Sequence, residues 1–204
     1  MDWESEMSKI SIEELKEKCK RFEELEKRGT FYDMALNMIN KGFEIEAFFL
    51  ILATWNFATF RYAMKDFDIN GFKKIIKKQC NPIFDKLKDK NLETVNFDEI
   101  KEDVEELYNI LSAIKGVKYT GASKLMHLKN PKLFIMWDGY IKKHYGFRKG
   151  VANDYINFLK KMQKMFKDIK WEEEDKTLAK AIDEYNYVAI TLPKLKKRKK
   201  NTPT

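Results

Sequence analysis

Residues 114–124 read Ile-Lys-Gly-Val-Lys-Tyr-Thr-Gly-Ala-Ser-Lys, and this stretch decides the expected fold. It looks like a tight turn between two helices, the second of which runs on through Leu128. A turn followed by a helix N-terminus presents unpaired backbone N–H groups and a partial positive charge. Because lysines flank the turn on both sides, we expect it to bind an anion. The alternative is an ordinary connection between helices, which all-helical proteins contain many times.

Helical spacing of apolar residues extends outward from this turn through most of the chain, whereas alternating strand patterns are scarce. The fold is therefore predicted to be all-α. Ser11 followed by Glu14 is a capping-box signature for the first helix, which Gly29 would stop. We expect one globular unit over residues 1–193, folded as two closely packed helical lobes, and a basic, disordered tail at 194–204. The predicted helices cover about residues 11–28, 31–41, 44–65, 69–88, 98–116, 152–168 and 174–188.

Positive charge is concentrated in two segments of a chain whose net charge is +8. Residues 115–149 hold nine basic residues and a single acid, Asp138, and residues 194–200 hold six basic residues and no acid. The rest of the chain therefore carries a net charge of −6. A positive segment on an acidic body favours a surface that binds a polyanion, with nucleic acid as the leading partner class. A solvated charged face is the alternative.

Several classes of protein are disfavoured by the same sequence. Two cysteines, Cys19 and Cys80, are too few for a disulfide framework, a four-cysteine zinc site or an iron–sulfur cluster, and they favour a reducing, cytoplasmic setting. The most apolar run, residues 47–55, is about half the length needed to span a bilayer, so no membrane partner is expected. His127 and His144 lack nearby metal-ligating partners. We expect a monomer with no cofactor and no metal.

Asp138 is the candidate catalytic residue. It lies 22 residues after Gly116, follows the apolar run Phe-Ile-Met-Trp, and opens a new predicted helix. A carboxylate in that position could act as a base or stabilise a developing positive charge. The simpler interpretation is a helix N-cap, since Asp is among the residues preferred there. The two roles are compatible.

Together these features resemble the helix–hairpin–helix DNA glycosylases, the superfamily that includes endonuclease III and the archaeal 8-oxoguanine glycosylases. Residues 114–123 are similar to the family hairpin, and Asp138 falls at the distance from it where the family keeps its essential aspartate. The segment Ile51-Leu-Ala-Thr-Trp-Asn56 resembles the family segment that fills the gap left by an extruded base, which implies that role for Trp55 and Asn56. The simpler interpretation is a core aromatic and a polar helix residue, because aromatic side chains fill cores readily. The resemblance covers roughly residues 45–150.

Two hairpin positions depart from the family pattern. Lys118 stands where the family normally has its second glycine, and Thr120 occupies the position of the lysine that forms a Schiff base in bifunctional members. A hydroxyl cannot form that amine-linked intermediate. The resemblance therefore implies a monofunctional enzyme without an iron–sulfur cluster.

The activity implied by the resemblance is removal of a damaged or mismatched base from double-stranded DNA, with Asp138 as the catalytic residue. A non-catalytic nucleic-acid-binding module that uses the same hairpin is the alternative, because a shared scaffold does not guarantee shared chemistry. The implied DNA-binding residues are Gly116, Val117, Lys118, Tyr119, Thr120, Gly121, Ser123 and Lys124.

Overall fold

The structure, a computed structural model, describes residues 10–200, with side chains described through residue 198. Within that range helices are connected by turns and loops and no residue lies in a β-strand, so the all-α prediction is confirmed. The helices are α1 (Ile12–Leu25), α2 (Gly29–Asn40), α3 (Glu44–Trp55), α4 (Phe57–Phe60), α5 (Ile69–Ile75), α6 (Asn81–Leu87), α7 (Lys101–Ala113), α8 (Lys118–Lys129), α9 (Gly139–His144), α10 (Ala152–Phe166), α11 (Leu178–Asn186) and α12 (Leu192–Lys200).

Two pairs of these helices are continuous through π turns. The turn Ile76–Cys80 joins α5 to α6, and the turn Tyr187–Thr191 joins α11 to α12. Residues 194–200 are consequently helical. The prediction of a disordered tail is wrong for this segment. Lysine and arginine are good helix formers, and extending an existing helix avoids the cost of nucleating a new one. Residues 201–204 of the expected tail lie outside the described residues.

The helix boundaries follow local sequence signals in some places and tertiary contacts in others. The Ser11 hydroxyl accepts a hydrogen bond from the Glu14 amide at 3.1 Å, which confirms the predicted N-cap. Gly29 begins α2, so its assignment as the stop of the first helix is wrong. The helix predicted over 44–65 breaks at Asn56, whose side chain bonds to the turn after α7.

The buried apolar residues form one contiguous cluster that extends from Leu15 to Ile190. Around α7 its centre is aromatic: the rings of Tyr108 and Tyr155 stack with centroids 4.7 Å apart, and Trp137 lies 5.1 Å from Tyr155. Helices α7 and α8 pack against each other, α10 packs on α7, and α3 contacts α8. Among the described residues no helix is both long and apolar enough to cross a membrane.

Candidate functional site

The turn between α7 and α8 holds two residues in the left-handed region of backbone space. Gly116 has a φ of +88° and Lys118 a φ of +56°. Glycine adopts this conformation freely, whereas a residue with a Cβ is destabilised by about 1 kcal/mol or more. Lys118 thus takes the backbone conformation that normally calls for glycine, and its side chain is exposed to solvent.

Asn56 holds this turn from inside the protein. Its Nδ2 donates hydrogen bonds to the carbonyl oxygens of Gly116 (3.1 Å) and Val117 (3.0 Å), and its Oδ1 accepts one from the Thr120 hydroxyl (2.8 Å). Asn56 is only 6% exposed. The suggested role in filling the gap left by an extruded base therefore does not fit Asn56, because its amide is committed to the protein interior.

The outer surface of the turn combines cations with open backbone donors. No side chain caps the N-terminus of α8. The Val117 and Lys118 amides donate to the Ile114 carbonyl, so the amides of Tyr119 and Thr120 are the ones left for an anion. Lys115, Lys118 and Tyr119 are exposed here. The ammonium of Lys142 lies 5.8 Å from the centre of the Tyr119 ring. This surface suits a phosphate group.

The candidate DNA-binding residues beyond position 120 face inward. Gly121, Ser123 and Lys124 are all buried. The Ser123 hydroxyl donates to the Thr120 carbonyl at 3.0 Å and accepts from the Trp137 amide at 3.3 Å. Val117 is also buried, at 0% exposed, and so is Gly116. Of the predicted set, therefore, only Lys118, Tyr119 and Thr120 reach the surface, because the rest of α8 enters the core.

Exposed aromatic side chains lie beside the turn. A Cβ added at Gly116 would come within 2.6 Å of the Ala63 Cβ, so residues 57–64 pack directly against the turn. On this segment Phe57 and Tyr62 are 50% and 71% exposed. The Arg61 guanidinium lies 4.6 Å from the centre of the Tyr62 ring. These rings, unlike Asn56, are accessible to a nucleic acid.

Asp138 caps α9 and is half-buried. Its Oδ1 accepts hydrogen bonds from the amides of Tyr140 (2.7 Å) and Ile141 (2.9 Å), so the N-cap prediction is confirmed. Its Oδ2 accepts a hydrogen bond from the Thr191 hydroxyl at 2.7 Å. These contacts fix the orientation of the carboxylate, and Oδ2 retains a lone pair for a further contact.

A pocket of about 450 Å³ opens beside Asp138. Aromatic residues form much of its wall, and Trp55, for which the family resemblance implies a gap-filling role, is half-buried among them. The aromatic lining residues are Trp55, Trp137, Tyr140 and Tyr187, and the charged ones are Arg28, Lys124, Asp138, Lys143 and Asp183. A flat, partly polar molecule the size of a nucleobase fits such a wall.

Lys124 reaches this pocket from α8 and is 6% exposed. Its ammonium donates to the Thr120 carbonyl at 3.3 Å. Burial lowers the pKa of Lys124, although the negative charges of Asp138 and Asp183 oppose that effect. Lys124 is therefore a pocket residue and not a contact to the outer surface of a duplex.

Behind the pocket, charged residues of α11 form a buried network. The Lys180 ammonium contacts Asp183 at 3.0 Å and Glu184 at 3.3 Å, and Glu184 also pairs with Lys176 at 2.7 Å. Burial alone would lower the pKa of Lys180, but its two acidic neighbours raise it. Burial raises the pKa of Asp183 against the opposing influence of Lys180. Trp55 adds a ring 5.3 Å from the Lys180 ammonium.

The π turn Tyr187–Thr191 brings two more residues to the pocket. Besides Thr191, Tyr187 lines the pocket and donates a hydrogen bond to Glu26 Oε2 at 2.8 Å. Glu26 also binds the guanidinium of Arg28. Although burial opposes ionisation of Glu26, the hydrogen bonds from Arg28 and Tyr187 hold its pKa below the usual range. Single π turns are rare and occur frequently at functional sites.

Thr191, Tyr187, Asp183 and Arg28 were not identified from the sequence. The available signal was faint: Lys180, Asp183 and Glu184 have the helical i, i+3, i+4 spacing inside a segment that is otherwise apolar on one face. The free cysteines Cys19 and Cys80 are buried, and burial raises the pKa of each thiol to about 12. Over residues 10–200, no group of three or more His, Cys, Asp or Glu side chains is arranged to hold a metal ion.

Comparison with known proteins identifies the family. A model described as "Family of unknown function (DUF6308)" matches residues 76–192, which is more than half of the chain. Neither the curated proteins nor the solved structures include a match. The matched segment contains the turn at 114–117, Lys124, Asp138, Asp183 and Thr191, whereas Arg28 and Trp55 precede it. Because the match covers more than half of its length, the chain belongs to the DUF6308 family of unknown function.

Proposed function

We propose that this protein is a DNA N-glycosylase that removes a damaged or mismatched base. One observation carries the proposal: the pocket that holds the Asp138 carboxylate is linked, through the bond of Lys124 to the Thr120 carbonyl, to a helical turn with exposed lysines and an uncapped helix N-terminus. The hairpin would bind the backbone of duplex DNA, and an extruded base would enter the pocket. The two-lobed glycosylase arrangement is part of this proposal.

Asp138 is the proposed catalytic residue. As the bond between the sugar and the base breaks, C1′ of the sugar gains positive charge, which the Asp138 carboxylate stabilises. Water then adds to C1′; its proton passes to Asp138 or to solvent, and the base leaves with the electron pair of the broken bond. The product is an abasic site. Since Thr120 supplies a hydroxyl that bonds to Asn56, no amine at that position can form a Schiff base.

Base release by wild-type protein and by Asp138→Asn tests this function. Duplexes carrying 8-oxoguanine, uracil, hypoxanthine, an alkylated purine or a mismatch are incubated with each protein, and abasic sites are cleaved with alkali. We expect release by the wild type and at least a hundredfold slower release by Asp138→Asn, with DNA binding retained. Asp68→Asn is a matched control, because Asp68 also caps a helix but lies outside the pocket lining. Strand scission without alkali would contradict the monofunctional mechanism.

A non-catalytic nucleic-acid-binding module is the second candidate. The observation that favours it is that both carboxylate oxygens of Asp138 already accept hydrogen bonds from the protein. In that case Asp138 only caps α9. Tight binding of duplex or single-stranded nucleic acid, with no base released across the panel, would identify the module.

Phosphate contacts at the hairpin are tested separately from catalysis. Each lysine–phosphate contact releases condensed counterions, so affinity should fall steeply as the salt concentration rises. We expect Lys115→Glu and Lys118→Glu to weaken duplex binding and to flatten its salt dependence. Lys20→Glu, on the exposed surface of α1, is the control. Equal losses from all three substitutions would show that the hairpin is not the binding surface.

A further inference from the structure

Two buried charges of opposite sign line the pocket without pairing to each other. Lys124 is 6% and Asp183 is 4% exposed. The ion pair of Asp183 is with Lys180. Buried charges are normally satisfied by a partner. Lys124 and Asp183 thus leave donor and acceptor capacity at the wall of the pocket.

The Lys124 ammonium is the less satisfied of the two. It has three N–H donors, and within the described residues its hydrogen bond is the 3.3 Å contact to the Thr120 carbonyl. A side chain with so little exposure cannot satisfy the remaining donors by turning out to solvent. A hydrogen-bond acceptor that enters the pocket would satisfy them.

Asp183 presents the complementary group. Its Oδ2 accepts from Lys180 at 3.0 Å, whereas no hydrogen bond from the described residues reaches Oδ1. Lys180 lies on the same helix as Asp183 and also pairs with Glu184, so its contact with Oδ2 fixes the orientation of the Asp183 carboxylate. Asp183 Oδ1 can therefore accept a hydrogen bond from a ligand N–H.

We propose, building on the proposed function, that Lys124 and Asp183 select a base with a lactam edge, in which a ring carbonyl adjoins a ring N–H. The carbonyl oxygen accepts from Lys124, and the adjoining N–H donates to Asp183 Oδ1. The aromatic wall at Trp55 stacks on the ring. Hypoxanthine and uracil carry this edge.

Adenine and cytosine carry the reverse pattern and are excluded by it. At the corresponding positions they present an amino group toward Lys124, which places donor against donor. They also present a bare ring nitrogen toward Asp183, which places acceptor against acceptor. A buried site built for one hydrogen-bond pattern rejects the other strongly because its polar groups are then left unpaired. Loss of an amino group by deamination converts each excluded base into one that the pocket accepts.

The test measures binding of four 2′-deoxynucleosides to the full chain by calorimetry and by tryptophan fluorescence. Deoxyinosine is compared with deoxyadenosine, and deoxyuridine with deoxycytidine, so that each pair differs only at the edge. We expect the lactam member of at least one pair to bind about tenfold more tightly or better. The pair that shows the preference distinguishes a purine from a pyrimidine substrate. Equal affinity within both pairs, or no saturable binding, would overturn the proposal.

Three variants tie the preference to these side chains. Lys124→Met removes the ammonium while keeping an unbranched chain, and it should fold because it removes a poorly satisfied buried charge. It should lose the preference, whereas Lys149→Met, at an exposed lysine outside the pocket lining, should keep it. Asp183→Asn can turn an amide N–H toward the ligand and should reduce the preference. An unchanged preference in both Lys124→Met and Asp183→Asn would contradict the assignment.

These results separate the proposal from the function on which it rests. Edge-selective binding without base release from any duplex would support the proposed selectivity and contradict the glycosylase function. Base release that is unchanged by Lys124→Met would support the glycosylase function and contradict the proposed edge selectivity.

Discussion

Lys118 combines a strained backbone conformation with a positive charge that favours phosphate binding. Its φ of +56° places it where glycine would be unstrained. Strained residues persist where the surrounding structure holds them, and they concentrate at functional sites. Asn56 supplies that restraint through the carbonyl oxygens of Gly116 and Val117. The lysine therefore costs stability but places a cation at the tip of the turn.

Replacement of Lys118 separates these two effects. Lys118→Gly should leave the free energy of unfolding unchanged or raise it by up to about 1 kcal/mol, because it relieves left-handed strain. It should also weaken duplex binding, because one cation is lost. Lys118→Asn, which tolerates the left-handed region, should weaken binding to a similar degree. Urea denaturation and a binding titration measure the two quantities. Wild-type affinity in both variants would show that Lys118 does not contact phosphate.

Asn56 should behave as a structural residue. Asn56→Ala removes three hydrogen bonds and leaves the Gly116 carbonyl without its donor, while the Val117 carbonyl still accepts from the Gly121 amide, so we expect a loss of about 2–3 kcal/mol in the free energy of unfolding. Duplex affinity should fall too, because the turn is no longer held. Asn109→Ala, at an exposed position of α7, is the control and should have little effect. A stable Asn56→Ala variant would argue against this role.

At the scale of the element, the hairpin shows which structural features the local sequence was sufficient to predict. Helical spacing and the glycine at 116 were sufficient to predict α7, the turn and α8, and the apolar run before Asp138 predicted a capped helix. The break at Asn56 was not predictable, because it depends on the carbonyl groups of residues sixty positions away. The helical state of residues 194–200 was missed because composition alone carries no information about the helix that precedes them.

Gly116 is where the hairpin docks on the segment that precedes α5. Gly116→Ala would combine a left-handed φ with a Cβ placed 2.6 Å from the Ala63 Cβ and 3.3 Å from the Phe60 ring. We expect it to lower the free energy of unfolding by about 2 kcal/mol or more, since neither neighbour can move away cheaply. Thermal and urea unfolding measure the change. Gly139→Ala has open space around the new Cβ and should be nearly neutral.

At the scale of the whole molecule, the pocket is assembled from distant parts of the chain. Arg28 comes from the turn between α1 and α2 and Trp55 from the end of α3, whereas Asp138 comes from the middle of the chain. Thr191 and Leu195 come from the π turn and from α12. No window of sequence contains more than a part of it. Sequence reasoning could therefore propose Asp138 and the nearby lysines, but it could not reveal that Lys124 and Asp183 line the same pocket.

Stability of the whole molecule should depend on pH through His127. This ring is fully buried, accepts a hydrogen bond from the Tyr32 hydroxyl at Nε2 (2.8 Å) and donates from Nδ1 to the Phe134 carbonyl (2.6 Å), so it is neutral. Burial, together with the charge of Lys180, lowers the pKa of His127 from 6.5 to about 3.

The folded and unfolded states bind different numbers of protons at His127. Below about pH 6.5 the unfolded chain binds a proton at this histidine that the folded protein does not bind. The free energy of unfolding should therefore fall by up to about 1.4 kcal/mol per pH unit as the pH drops from 6 toward 4. His127→Gln should flatten this slope, whereas His144→Gln, at an exposed position, should retain most of it. Denaturation at several pH values measures both slopes; equal slopes in wild type and His127→Gln would contradict the assignment.

The π turn at Tyr187–Thr191 has a consequence for helical phase. A π turn is equivalent to an α-helix that has accepted one extra residue, so deleting the exposed Ala189 should restore an uninterrupted α-helix. The basic face of α12 would keep its direction, while the Thr191 hydroxyl, which donates to the Asp138 carboxylate, would be displaced. A single-residue deletion could thus separate the charge that the C-terminal helix contributes from the contact that it makes with the carboxylate. The extra residue gives the chain a local adjustment at its candidate site that leaves the helices on either side in phase.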